Sequence, residues 1–190
     1  MPAKTDHDAR RRDVSAAVWK VVAADGFGGL TLRAVAAAMG GSTGLVTHYF
    51  PSKQALVLHA LEVAEQRTQA LVPDTTDLRT ALIAVLPLTA ETTELNRVWV
   101  SSWDVALADP QLAALEQARY RRWRTRLKPL VIQAQNDGDL ITGDAMDLAA
   151  GLAAFTHGLV VQALVDPRTF GRKRLELLLD AHLTALRPRR

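Results

Sequence analysis

Apolar residues recur at helical spacing along nearly the whole chain, and this restricts what it can fold into to helices packed on helices. Val14, Ala17, Val18, Val21 and Val22 stand at i, i+3, i+4, i+7 and i+8, while no clear run of alternating β-branched or aromatic residues offers a strand. The fold class is therefore all-α. Start and stop signals divide the chain into about nine helices. The first stops at Asp25-Gly26. The second is capped by Thr31, carries Leu32, Val35, Ala36 and Met39 on one stripe, and breaks at Gly40-Gly41. A third, capped by Ser42, turns Leu45 and Val46 inward and runs to Phe50-Pro51; a fourth, capped by Ser52, reaches Val72-Pro73. Further helices are expected near 75–89, 91–107, 110–137, 144–165 and 172–187. Asp109-Pro110 gives the start of one and Asp137-Gly138 its stop, with a kink expected at Pro129.

Composition removes several classes of function. With 190 residues, 48% apolar and 23% charged, the chain is long enough for a domain with a core, or for a small domain joined to a larger one. The absence of cysteine rules out disulfide scaffolds, thiol chemistry and Cys-ligated zinc or iron–sulfur sites. The basic start lacks the apolar core of a secretory signal. The apolar stretch 145–165 contains Asp147, His157 and Gln162 and reads as a buried helix, so the expectation is a cytoplasmic protein without a membrane partner. No Gly-rich phosphate loop, Ser/His/Asp arrangement, paired-carboxylate motif or ligand-spaced His pair appears, which gives no support for catalysis, a metal or a cofactor.

Charge is unevenly spread. The net +3 is small, but residues 1–53 carry +3, 54–118 carry −6, 119–128 carry +6, 129–166 carry −5 and 167–190 carry +5. A basic head on an acidic body is the first requirement for attracting phosphates. Three helices fall in the first fifty or so residues, with only Gly40-Gly41-Ser42 between the second and third, which is helix-turn-helix spacing. On the third helix Thr43, Gly44, Thr47 and His48 are left to face outward, small enough to bring the backbone close to a major groove. Thr43, Thr47 and His48 are candidate readers of base edges. Thr31, Arg33, Ser42, Tyr49 and Lys53 are candidate phosphate contacts, the first two at a helix start. Taken singly, each also reads as a cap, a packed ring or a solvated charge.

Taken together, the segment Thr31 to Leu56 resembles the DNA-binding domain of TetR-family transcriptional regulators: the Thr-led helix, Met39-Gly40-Gly41-Ser42 at the turn, Gly44, the pair Tyr49-Phe50, then Ser52-Lys53. Gly41 stands where that family usually has Val, and Thr47 where it usually has Tyr. The run Ser42 to Phe50 is similar to the BetI-like subgroup, as are Gly158 to Pro167 and Leu179 to Leu183. The resemblance implies a helix-turn-helix domain over 1–53 and a helical ligand-binding and dimerisation domain over 54–190. It implies a homodimer that binds a palindromic double-stranded operator as a repressor and is released by a small-molecule effector.

In the body, the helix at 145–165 is apolar on nearly every side and must be covered all round. With the stripe of the last helix it suits an intersubunit four-helix bundle, for which Phe155, Leu159, Gln162, Leu175, Leu178, Leu179, His182 and Leu186 are the candidate interface residues. A bundle closed within one chain is the alternative. Trp99 with Trp103, and Tyr120 with Trp123, share helix faces, and with Phe155 are candidates to line an effector pocket; core packing is the competing reading. Arg119, Arg121, Arg122, Arg124, Arg126 and Lys128 point to several sides and read mainly as solvated or paired charges. Two rival functions stay open: an all-helical ligand-binding or enzymatic protein with a degenerate head, and a ligand-independent DNA-binding activator.

Overall fold

A computed structural model describes residues 3–188, with side chains from residue 9 onward. The outermost residues of the two expected domains, 1–2 and 189–190, lie outside the described residues. Nine helices and no strand are found among the described residues: α1 (Ala3–Gly29), α2 (Leu32–Met39), α3 (Thr43–Tyr49), α4 (Lys53–Leu71), α5 (Leu78–Ala84), α6 (Ala90–Ala108), α7 (Pro110–Asn136), α8 (Ala145–Val165) and α9 (Arg172–Ala185). The chain forms two compact units.

The first unit comprises residues through Arg67 together with Arg97–Leu112. Its centre is the apolar face read from the periodicity: Val14, Val18 and Val22 of α1, Val35 of α2, Val46 of α3 and Leu56 of α4 are all essentially inaccessible to solvent. At Gly26 the backbone of α1 leaves the helical region, with φ +66° and ψ −173°, where the sequence places its stop. A β-carbon there would stand 3.3 Å from that of Ser101, so α6 packs tightly on this turn. The unit runs past residue 53, and side chains of α4 reach α1 at two places. His59 Nε2 is 2.8 Å from Ser15 Oγ, its ring lies 4.8 Å from that of Phe50, and the Arg67 guanidinium sits 4.0 Å over the ring of buried Trp19.

The second unit comprises Thr68–Asn96 and the chain from Ala113 onward. Leu82, Leu127, Leu152, Leu175 and Leu179 are its most deeply buried leucines, with Leu86 and Leu140. Polar ties hold its connections: Arg79 grips Asp180 with two donors, Arg126 Nη2 donates to the carbonyls of Val72 and Pro73 at 2.9 Å each, and Ile141 N–H donates to Leu186 O at 2.8 Å.

One expectation about elements is corrected. The helix expected near 75–89 is only Leu78–Ala84. Asp77 caps it by accepting from Thr80 N at 2.7 Å, and beyond it the Asn96 side chain takes the Val85 carbonyl at 3.0 Å while the chain turns towards Pro87. Pro129 lies inside α7, which runs on as helix to Asn136, and its ring nitrogen cannot bond the carbonyl of Thr125.

Candidate nucleic-acid interface

The second and third helices are joined by a tight, fully bonded turn. Thr31 Oγ1 accepts from Ala34 N at 3.0 Å and opens α2; Gly40 closes it in the left-handed conformation, φ +64° and ψ +26°. The Gly40 and Gly41 amides donate to the carbonyls of Ala37 and Ala36, both at 3.0 Å, the paired bonds of a Schellman motif. Gly41 needs no special backbone, and a β-carbon on it would meet Leu45 at an ordinary 3.6 Å, so the turn is closed despite the departure from Val. Ser42 Oγ then accepts from Leu45 N at 3.4 Å and opens α3.

Burial of Val46 fixes which side of α3 faces out. Thr43, Gly44, Thr47 and His48 are exposed, Tyr49 is half-buried, and Thr31, Arg33, Ser42 and Lys53 are exposed around them. The structure thus gathers these nine candidates on and beside one short helix. The Thr47 hydroxyl donates back to the carbonyls of Thr43 and Gly44, at 3.1 and 3.0 Å, so its methyl and the acceptor lone pairs of its oxygen are what it has left to offer. His48 and Tyr49 meet edge to face, with ring centres 5.0 Å apart. Gly44 has no left-handed backbone, and its nearest neighbour to an added β-carbon would be Ser42 Oγ at 3.7 Å. Nothing inside the chain calls for glycine there. Thr31 and Ser42 spend acceptor lone pairs on their caps, which leaves each hydroxyl proton able to meet a phosphate oxygen.

The aromatic candidates of the body divide between the units: Trp99, buried, and Trp103, half-buried, are in the first, whereas Tyr120, Trp123 and Phe155, all half-buried, are in the second. Phe155 stacks on His182 with ring centres 3.8 Å apart and planes at 12°. Tyr120 is covered by the Arg119 guanidinium at 4.4 Å and meets His157 edge-on at 5.2 Å. Arg119 is in turn bonded to buried Glu116, at 2.7 and 3.0 Å. This polar cluster has no signature in the sequence, because Glu116 and His157 are far apart in the chain and follow no ligand spacing. Burial, and secondarily the Arg119 charge, holds the His157 imidazole down to about 4.

Of the interface candidates, Leu159, Leu175 and Leu179 are corrected: they are 6%, 1% and 0% exposed and belong to the chain's own core. The apolar stripe of α9 is needed to close the unit on itself. Phe155, Leu178, His182 and Leu186 are half-buried and Gln162 is exposed. The outward side of α8 is the stripe Gly151, Ala154, Gly158, Gln162 and Val165, all exposed, of which sequence reading names only Gln162; on α9 it is Leu177, Ala181 and Thr184. In a helix apolar on all sides, small residues carry no signal of which side faces out.

The model of the bacterial regulatory proteins of the TetR family matches residues 15–60, and the model of the C-terminal part of BetI-type transcriptional repressors matches residues 74–188. The chain belongs to the TetR family, with a body of the BetI type. As a TetR-family member it is a transcriptional regulator, and its relatives are regulators, not enzymes. It is 29% identical to the HTH-type transcriptional regulator BetI of Burkholderia thailandensis over 98% of this chain and 97% of that one. It is 23% identical to the HTH-type transcriptional regulator PksA of Bacillus subtilis over 98% and 94%. Among solved structures, a transcriptional regulator from Rhodococcus sp. Rha1 superposes with a TM-score of 0.81 at 27% identity, covering 92% of this chain and 94% of that one. A regulator from Saccharomonospora viridis in complex with choline has the same fold, with a TM-score of 0.82, 24% identity, and coverage of 97% and 100%.

Proposed function

We propose that this TetR-family regulator is a cytoplasmic homodimeric repressor that binds a palindromic operator through its two heads and is released when a small molecule binds its body. The observation that carries the reading is the outer face of α3. There exposed Thr43, Gly44, Thr47 and His48 stand opposite buried Val46, on a helix opened by the bonded Ser42 cap. Residues 1–53 then act as the DNA-binding domain and 54–190 as the effector-binding and dimerisation domain. Thr43, Thr47 and His48 read base edges; Thr31, Arg33, Ser42, Tyr49 and Lys53 position the head on phosphates.

Dimerisation is supported by the exposed stripe of small and apolar residues on α8 together with Leu177 on α9, 62% exposed. Small residues allow two helices to approach closely, and a twofold axis would set two heads on two half-sites. Choline in the Saccharomonospora viridis regulator supports a small-molecule site in the body. Tyr120, Trp123 and Phe155, all in the second unit, are its candidate lining, since aromatic faces hold organic cations. An effector acts by binding one spacing of the heads more tightly than the other.

The test uses a duplex selected by the protein from a random pool. Lys53→Ala should weaken binding to selected and random duplexes alike and reduce the salt slope by about one unit for each phosphate no longer neutralised. Thr47→Ala should instead change the ranking of sequences. Unchanged affinity and slope for Lys53→Ala would refute its assigned role.

A further inference from the structure

Most of the head's basic residues lie outside the helix-turn-helix. Of the seven in residues 1–53, operator binding as proposed uses only Arg33 and Lys53, while Arg10, Arg11 and Arg12 follow one another on α1, all exposed. Helical spacing puts Arg11 on the stripe of Ser15, four residues on, and Arg12 on that of Trp19, seven residues on. Both stripes meet α4: Ser15 Oγ lies 2.8 Å from His59 Nε2, and the Arg67 guanidinium stands 4.0 Å over the Trp19 ring. These two contacts come in the same order along both helices, so α1 and α4 run in the same sense.

One turn before Ser15, α1 is therefore level with the turn before His59, which is the first turn of α4, where Lys53 stands. The electrostatics agree with this placing: burial, and secondarily the charge of Arg11, hold the His59 imidazole below its ordinary value, against the opposing carboxylate of Glu62. The end of α3 reaches the same place, because the Phe50 ring lies 4.8 Å from that of His59. Arg11 and Arg12 thus belong to the edge of the head where α3 ends and α4 begins, next to the segment that carries Tyr49 and Lys53. A helix lying in a major groove is flanked by the two sugar-phosphate backbones, so charged groups at the edge of the head meet phosphates and not base edges. The paired donors of a guanidinium match phosphate oxygens.

We propose that Arg11 and Arg12 contact operator phosphates, so that α1 makes a backbone contact of its own outside the helix-turn-helix. This rests on the reading of α3 as the helix that enters the groove. The test measures the affinity of the full chain for the selected duplex and for random duplexes across a salt series. Arg11→Gln/Arg12→Gln should weaken binding to both by roughly tenfold or more and reduce the salt slope by about two units, one for each phosphate no longer neutralised. The ranking of sequences should stay that of the wild type. Arg11→Lys/Arg12→Lys, which keeps both charges, should restore the slope. Lys20→Gln, which removes a charge from the opposite side of α1, should leave the slope unchanged. Wild-type affinity and slope in the Gln pair, a changed ranking, a slope that the Lys pair does not restore, or a comparable loss in Lys20→Gln would overturn the proposal. A reduced slope in Lys53→Ala but not in the Gln pair would overturn it while leaving the reading of α3 in place, whereas a wild type that binds no duplex would overturn both.

Discussion

Gly44 is the residue whose identity the fold explains least and the proposed interface explains best. It lies in α3 with ordinary helical backbone and space for a β-carbon. Gly44→Ala should therefore stabilise the head by about 1 kcal/mol, since alanine is the better helix former. It should also weaken binding to the selected duplex by roughly tenfold, because the methyl stands between α3 and the bases. Calorimetry and fluorescence anisotropy on one sample would show both effects; a stabilised variant with undiminished affinity would remove α3 from the groove. His157 offers a second test at this scale. Its imidazole protonates near 6.5 in the unfolded chain but near 4 in the folded protein. Between these values the unfolded state binds more protons, so stability falls as pH drops through that window. Between pH 6.5 and 5 the loss from this residue is about 2 kcal/mol. Urea unfolding of His157→Gln should show that much less pH dependence than the wild type over the same interval. Equal slopes would mean that His157 is not buried as described.

Among the elements, the turn between α2 and α3 is where sequence and structure agree most closely. Gly40 takes a positive φ and Gly41 does not, so Gly40→Ala should cost about 1 kcal/mol whereas Gly41→Ala should be close to neutral. Chemical denaturation of the two variants would check this, and equal costs would contradict the assigned cap. Helix starts marked by a side-chain cap, Thr31, Ser42, Ser52 and Asp109, were legible because the cap is a local bond between residues two or three apart. The short α5 was not, because its end depends on Asn96, eleven residues away.

At the scale of the whole molecule, the face of each residue in a helix apolar all round could not be read from sequence. Leu159, Leu175 and Leu179 serve the chain's own core, and the outward face of α8 is built from glycine and alanine. Gly158→Glu should consequently convert the proposed dimer to monomer in analytical ultracentrifugation while leaving the monomer folded, and should lower affinity for a two-half-site duplex by at least tenfold. The head was far more legible, since its caps, glycines and aromatic pair fall within one short segment. The aromatic residues of the body were recognisable as a group, yet their division between two units depends on tertiary packing. The central claim, that two heads read a palindrome through α3, is tested most directly by sequencing the duplexes that the wild type and Thr47→Ala enrich from a random pool. The account predicts an inverted repeat for the wild type and the same spacing with altered bases at matching positions in both half-sites for the variant. Enrichment of no inverted repeat, or of an identical sequence by both proteins, would contradict it.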